Sequence, residues 1–105
     1  MITKETQKTL DFLESIIGKK PSLGDYILSI RQGEELSQVE FAKTLGISRQ
    51  NLCDIEHNRR FISPKMAAEF AEKLGYSAKH FVRLCFQDML DRDGLKFSVD
   101  IDNAA

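Results

Sequence analysis

Apolar residues return at three- and four-residue intervals along most of this chain, and the intervals break at serine, glycine and proline. The clearest stretch is residues 37–57, SQVEFAKTLGISRQNLCDIEH. Phe41, Ala42 and Leu45 share one helical face, with Val39 left to a side face. Ser37, followed three residues later by Glu40, predicts a capping box. In it the hydroxyl takes an orphan backbone N–H and the carboxylate reaches back to the N–H of the serine. Gly46 follows the last apolar position, where a residue able to take φ > 0 ends a helix at no steric cost. Ser48 then caps a second helix that turns Leu52 and Ile55 inward.

Similar punctuation extends to either side. Residues 3–17 read as an amphipathic helix with Leu10, Leu13, Ile16 and Ile17 on one side, stopped by Gly18. Lys19, Lys20, Pro21 and Ser22 form a breaker and a new cap. Residues 23–34 predict a helix with Leu23, Tyr26, Ile27 and Ile30 inward and Leu36 closing the turn. Ser63 and Pro64 start another that runs to about Leu74, with Met66, Ala67, Phe70, Ala71 and Leu74 facing the core and Gly75 stopping it. Ser77 opens the last helix, whose Phe81, Val82, Leu84, Cys85, Phe86, Met89 and Leu90 cover more than one face. Residues 95–101, LKFSVDI, alternate with period two and predict a short strand with nothing else in the chain to pair with. The expected fold is all-α: a five-helix domain over residues 21–92, an extra N-terminal helix and linker over 1–20, and a short C-terminal β-strand or tail over 93–105.

A helix of about eight residues, a three-residue turn containing glycine and a second helix make the helix-turn-helix unit, whose second helix is built to enter a DNA major groove. Such shapes also occur in all-α proteins that never touch DNA. Gln38, Ala42, Gly46, Ile47, Ser48, Leu52, Ile55 and Glu56 resemble the consensus of the phage-repressor/Cro-like helix-turn-helix regulators, the xenobiotic-response-element type. Each has a physical reason to recur: Ala42 is small where the two helices cross, Gly46 makes the turn, and Ile47, Leu52 and Ile55 plug the inner face. The resemblance spans roughly residues 22–90. It implies a repressor-like five-helix domain, an ion pair between Arg31 and Glu56, and a phosphate contact from Gln38. The other reading of Arg31 is a surface arginine. Where family members frequently carry glycine this chain has Asn58, which tolerates the left-handed conformation.

The outward side of the second motif helix carries Arg49, Gln50, Asn51 and Asp54. Arginine reads guanine O6 and N7, and glutamine or asparagine reads adenine N6 and N7, so three such residues in succession suit base reading. Asp54 is the less comfortable reader. It can accept from cytosine N4, yet it repels phosphate, and holding Arg49 or an adjacent arginine is its other role. Gln38, Ser48, Arg59, Arg60 and Lys65 are the candidates for phosphate contacts, which position a reader without reading sequence. Phe61 and Ile62 are expected to anchor their loop to the core.

Composition narrows this picture without redirecting it. The chain has 105 residues, 42% hydrophobic and 30% charged, with net charge −1, so contact with a polyanion must come from a local patch. Between Gln38 and Lys65 five basic residues (Lys43, Arg49, Arg59, Arg60, Lys65) face three acidic ones (Glu40, Asp54, Glu56). From Asp88 to Asp102 the balance reverses, with five aspartates against Arg92 and Lys96. Cys53 and Cys85 are read as lacking a Cys or His neighbour at ligand spacing, and His57 and His80 as isolated surface residues. No metal site, cofactor or catalytic constellation is expected, and the chain is not read as an enzyme. No apolar run approaches the roughly 18 residues of a membrane span, and the N-terminus is too charged for a signal peptide, so a cytoplasmic, nucleoid-associated bacterial or phage protein is expected.

The surplus apolar surface of the last helix and the lone strand both point to association. Phe86, Met89, Leu90, Phe97 and Val99 are the candidate dimer residues; coverage by the N-terminal helix, and a loose tail, are the other readings. The expected function is a homodimeric transcriptional regulator, a repressor, reading a double-stranded DNA operator through residues 48–56. The alternative is the antitoxin of a toxin–antitoxin module, which neutralises a partner toxin and autoregulates its operon.

Overall fold

A serine starts every helix described here. The computed structural model describes residues 21–104. Among them the chain forms α1 (Leu23–Gly33), α2 (Gln38–Leu45), α3 (Arg49–Glu56), α4 (Pro64–Leu74) and α5 (Ala78–Arg92). Ser22, Ser37, Ser48, Ser63 and Ser77 are the N-caps, each hydroxyl accepting the N–H of the residue three positions on. Each cap satisfies one of the donors that a helix start leaves open. The reciprocal box forms at Ser22, where the Asp25 carboxylate accepts the Ser22 N–H at 3.0 Å. At Ser37 it does not close as expected, because Glu40 Oε1 takes the Ser37 hydroxyl at 3.0 Å in place of the backbone N–H. Gly46 and Gly75 end α2 and α4 in the left-handed region, with φ of 75° and 78°.

The inward positions of the helices meet in one core containing Tyr26, Ile27, Phe41, Leu45, Leu52, Phe70, Phe81 and Leu84, all buried. Ile47, Ile62, Met66, Leu74 and Val82 pack around it, half-buried. Close packing of α1 on the end of α3 depends on Gly24. A Cβ there would lie 2.2 Å from the Ile55 carbonyl oxygen and 2.7 Å from Asn58 Oδ1. Asn58 follows α3 with φ of 60° and ties back to α1: Ser22 Oγ donates to its Oδ1 at 2.6 Å, and its Nδ2 donates to Asp25 at 3.1 Å. Asp88 reaches from α5 to accept the Leu23 N–H at 3.0 Å.

Several expectations change on contact with the structure. Residues 95–104 form no strand; among the described residues there is no second strand to make a ladder with, and the tail is instead fastened by Gln87 of α5. Gln87 Nε2 donates to the Phe97 carbonyl at 2.8 Å, and its Oε1 accepts the Val99 N–H at 2.9 Å. His80 is half-buried, with its ring 5.5 Å from that of Tyr26 and Nε2 shut away from solvent without a hydrogen-bond partner among the described residues. Burial lowers its pKa to about 4. Phe61 does not enter the core: it is 44% exposed, with the Arg92 guanidinium 3.5 Å above its ring. The expected helix over residues 3–17 lies outside the described residues.

Candidate nucleic-acid interface

Helices α2 and α3 are joined through Gly46, Ile47 and Ser48, and their relative placement is set by side chains from elsewhere. Ile47 packs on the core beneath the turn, and its N–H donates to Ala42 O at 3.0 Å. Lys73 of α4 donates to the Leu45 carbonyl at 3.0 Å, satisfying an acceptor at the end of α2. From the other side, α1 and α3 share the ion pair of Arg31 and Glu56. Arg31 Nε donates to Glu56 Oε2 at 2.6 Å, Arg31 Nη2 to Oε1 at 3.3 Å, and Arg31 Nη1 to the Leu36 carbonyl at 3.0 Å. The Glu56 side chain is fully buried.

The pair extends to the surface through Gln38. Its Nε2 donates to Glu56 Oε1 at 2.9 Å, which leaves its Oε1 to accept from Arg49 Nη1 at 3.1 Å. A buried carboxylate thereby orients an amide, and the amide orients the exposed guanidinium at the first position of α3. Gln38, expected at phosphate, spends its amide on these two partners here.

Further along α3, Gln50 and Asp54 meet one turn apart, Nε2 donating to Oδ1 at 3.1 Å. Asp54 Oδ1 also accepts from Arg59 Nε at 3.1 Å and Nη2 at 3.0 Å. The Arg59 hydrogen bond, joined by that of Gln50, holds the Asp54 carboxyl below the ordinary carboxylate range against the opposing effect of burial. The arginine kept by Asp54 is therefore Arg59, while Arg49 belongs to Gln38. Ser48 spends its hydroxyl on the cap of α3. Arg60 and Lys65 are exposed and make no hydrogen bond or ion pair through their side chains among the described residues.

Cys53 of α3 and His57, the C-cap that follows it, stand one turn apart, with Sγ and Nδ1 separated by 3.7 Å, so the two residues read as isolated are neighbours. Among the described residues no third metal-ligating group joins them. Cys85 is buried, donates to the Ile62 carbonyl at 3.2 Å, and has its thiol pKa raised by burial. Of the candidate dimer residues, Phe86, Met89 and Phe97 are exposed, and Leu90 and Val99 are half-buried.

Sequence patterns did not single out Gly24, Lys73, Gln87 or Asp88. Gly24 sits inside a helical pattern where glycine costs stability, and that anomaly is its only local signal. The other three bond to residues of different elements and carry no local signal.

Two short helices at a glycine turn, with a polar outward face on the second, are the arrangement of a helix-turn-helix DNA-binding domain. A family model described as "Helix-turn-helix domain" matches residues 24–84, more than half of the chain, and the chain belongs to that family. No curated protein and no solved structure gave a match. The chain is a DNA-binding regulator of transcription in the general sense that this family defines. Among the described residues no helix is long and apolar enough to cross a membrane.

Proposed function

We propose that the protein is a homodimeric repressor that reads the major groove with the outward face of α3 and acts by occluding a promoter. The observation that carries this reading is the ordered polar face: Arg49, fixed by Gln38, stands beside Gln50 and Asn51 at the exposed start of α3. Arg49 is suited to the O6 and N7 of guanine, and Gln50 and Asn51 to adenine. Arg60 and Lys65 supply phosphate contacts, Gln38, Ser48 and Arg59 being already held by partners of their own, and a two-fold pair of domains sets half-sites about 34 Å apart. No catalytic step and no cofactor belong to this reading.

The test is binding of the purified protein to the DNA upstream of its own gene at two salt concentrations. Arg49→Ala and Gln50→Ala are expected to cost about 1–3 kcal/mol each at the base they read, leaving salt-sensitive non-specific binding in place. Arg60→Ala is expected to weaken all sequences alike and to reduce the salt slope by about one. Absence of sequence preference in the wild type would overturn the reading.

A second reading, an antitoxin that also regulates its own operon, is favoured by the tail, where Leu95 and Phe97 stand exposed outside the helical core. Co-purification with a small toxin encoded beside it distinguishes the two.

A further inference from the structure

The tail after α5 is fastened along one edge only. In an extended backbone the polar groups of residues i and i+2 point to one edge and those of i+1 to the other. One carboxamide, that of Gln87, takes the Phe97 carbonyl and the Val99 N–H together, as such a backbone presents them. This leaves the edge of Lys96, Ser98 and Asp100, whose N–H groups have no hydrogen-bond partner among the described residues. All three residues are exposed, as are Leu95 and Phe97.

The sequence of this stretch is complementary to itself in reverse. Counting outward from Ser98, Phe97 corresponds to Val99, Lys96 to Asp100 and Leu95 to Ile101. We infer that the open edge pairs with the same edge of a second copy of this chain, antiparallel, about a two-fold axis at Ser98. This rests on the homodimer of the proposed function and gives it an interface and a register.

The register satisfies several independent requirements. Ser98 faces its own copy as a hydrogen-bonded pair, which the unfastened edge demands, since both its N–H and its C=O point there. Lys96 falls opposite Asp100 of the second copy, and the symmetry repeats that opposite-charge pair on the other side. Phe97 falls opposite Val99 in the closer, non-hydrogen-bonded position, an aromatic against a β-branched residue. A slip of two residues would set Asp100 against Ser98 and Lys96 against Asp102, so it is the response of Asp100 to charge reversal that marks the register centred on Ser98.

The experiment is sedimentation equilibrium of the full chain without DNA. Lys96→Asp alone and Asp100→Lys alone each set like charges opposite one another at both symmetric positions, and each is expected to weaken dimerisation roughly ten-fold. Mixed in equal amounts, the two variants are complementary again and are expected to recover wild-type association. Ser98→Pro, which removes the central N–H, is expected to abolish it. Circular dichroism should show unchanged helix in every variant, because these residues lie outside the core.

A wild type that stays monomeric, single variants that associate as tightly as wild type, or a mixture that fails to recover would each overturn the proposal. So would pairing of the tail with a different protein in place of a second copy. Base reading by α3 is scored separately, on the sequence preference of Arg49→Ala and Gln50→Ala, so either idea can fail while the other stands.

Discussion

Glu56 brings a carboxylate into a place with no water, and its two oxygens are taken by Arg31 and Gln38. Removing Arg31 leaves that charge buried without its cation. Arg31→Ala is therefore expected to destabilise the fold by about 3–5 kcal/mol, read from urea unfolding midpoints. Gln38→Ala removes a neutral donor, so it should cost far less stability. It also releases Arg49, so its larger effect should be a weaker preference for the base that Arg49 reads. Gly24 makes the opposite demand, since it is needed for what it lacks. Gly24→Ala would press a methyl group into the Ile55 carbonyl, and a loss on the order of 1–3 kcal/mol in thermal unfolding is expected in spite of alanine's better helix propensity.

At the scale of elements, Lys73 and Gln87 hold pieces that the helical pattern alone leaves loose. Lys73→Met keeps most of the stem and loses the donor to the Leu45 carbonyl, so a cost of about 1 kcal/mol is expected on unfolding. Gln87→Leu releases the tail; faster hydrogen exchange at the Val99 amide, with little change in Tm, is the expected result. The helices themselves were legible because each is specified by neighbours in sequence: a serine at the start, glycine after α2 and α4, and an apolar stripe between. The outward face of α3 was legible for the same reason, as Arg49, Gln50 and Asn51 oppose Leu52 and Ile55 within one turn or so. What escaped notice is held together across long separations. Asp88 caps a residue 65 positions away and Lys73 one 28 positions away, and no local periodicity encodes either bond. The alternation in residues 95–101 predicts a strand that does not form among the described residues, because alternation describes side chains and is silent about a partner.

For the whole molecule, two half-buried groups set opposing responses to pH. Burial raises Asp88 from 3.8 to about 6, against the Leu23 N–H that favours its ionised form. It lowers His80 from 6.5 to about 4. The folded chain holds the Asp88 proton more tightly than the unfolded chain, so this group's contribution to stability declines as pH rises from about 4 to 6. His80 resists protonation in the folded chain, so its contribution declines as pH falls from 6.5 to about 4. Over the shared window the slopes offset one another, and urea midpoints are expected to be nearly flat. Asp88→Asn should unmask stability that increases with pH there, and His80→Phe stability that decreases. The Asp54 and Arg59 pair bears on how such a molecule moves among sites. Arg59 already has a counter-ion, so a polyanion gains less from it than from an unengaged arginine, whatever the sequence. That internal competitor is expected to shorten dwell times on arbitrary DNA, so that a reader built this way would sample many sites before settling where the bases fit.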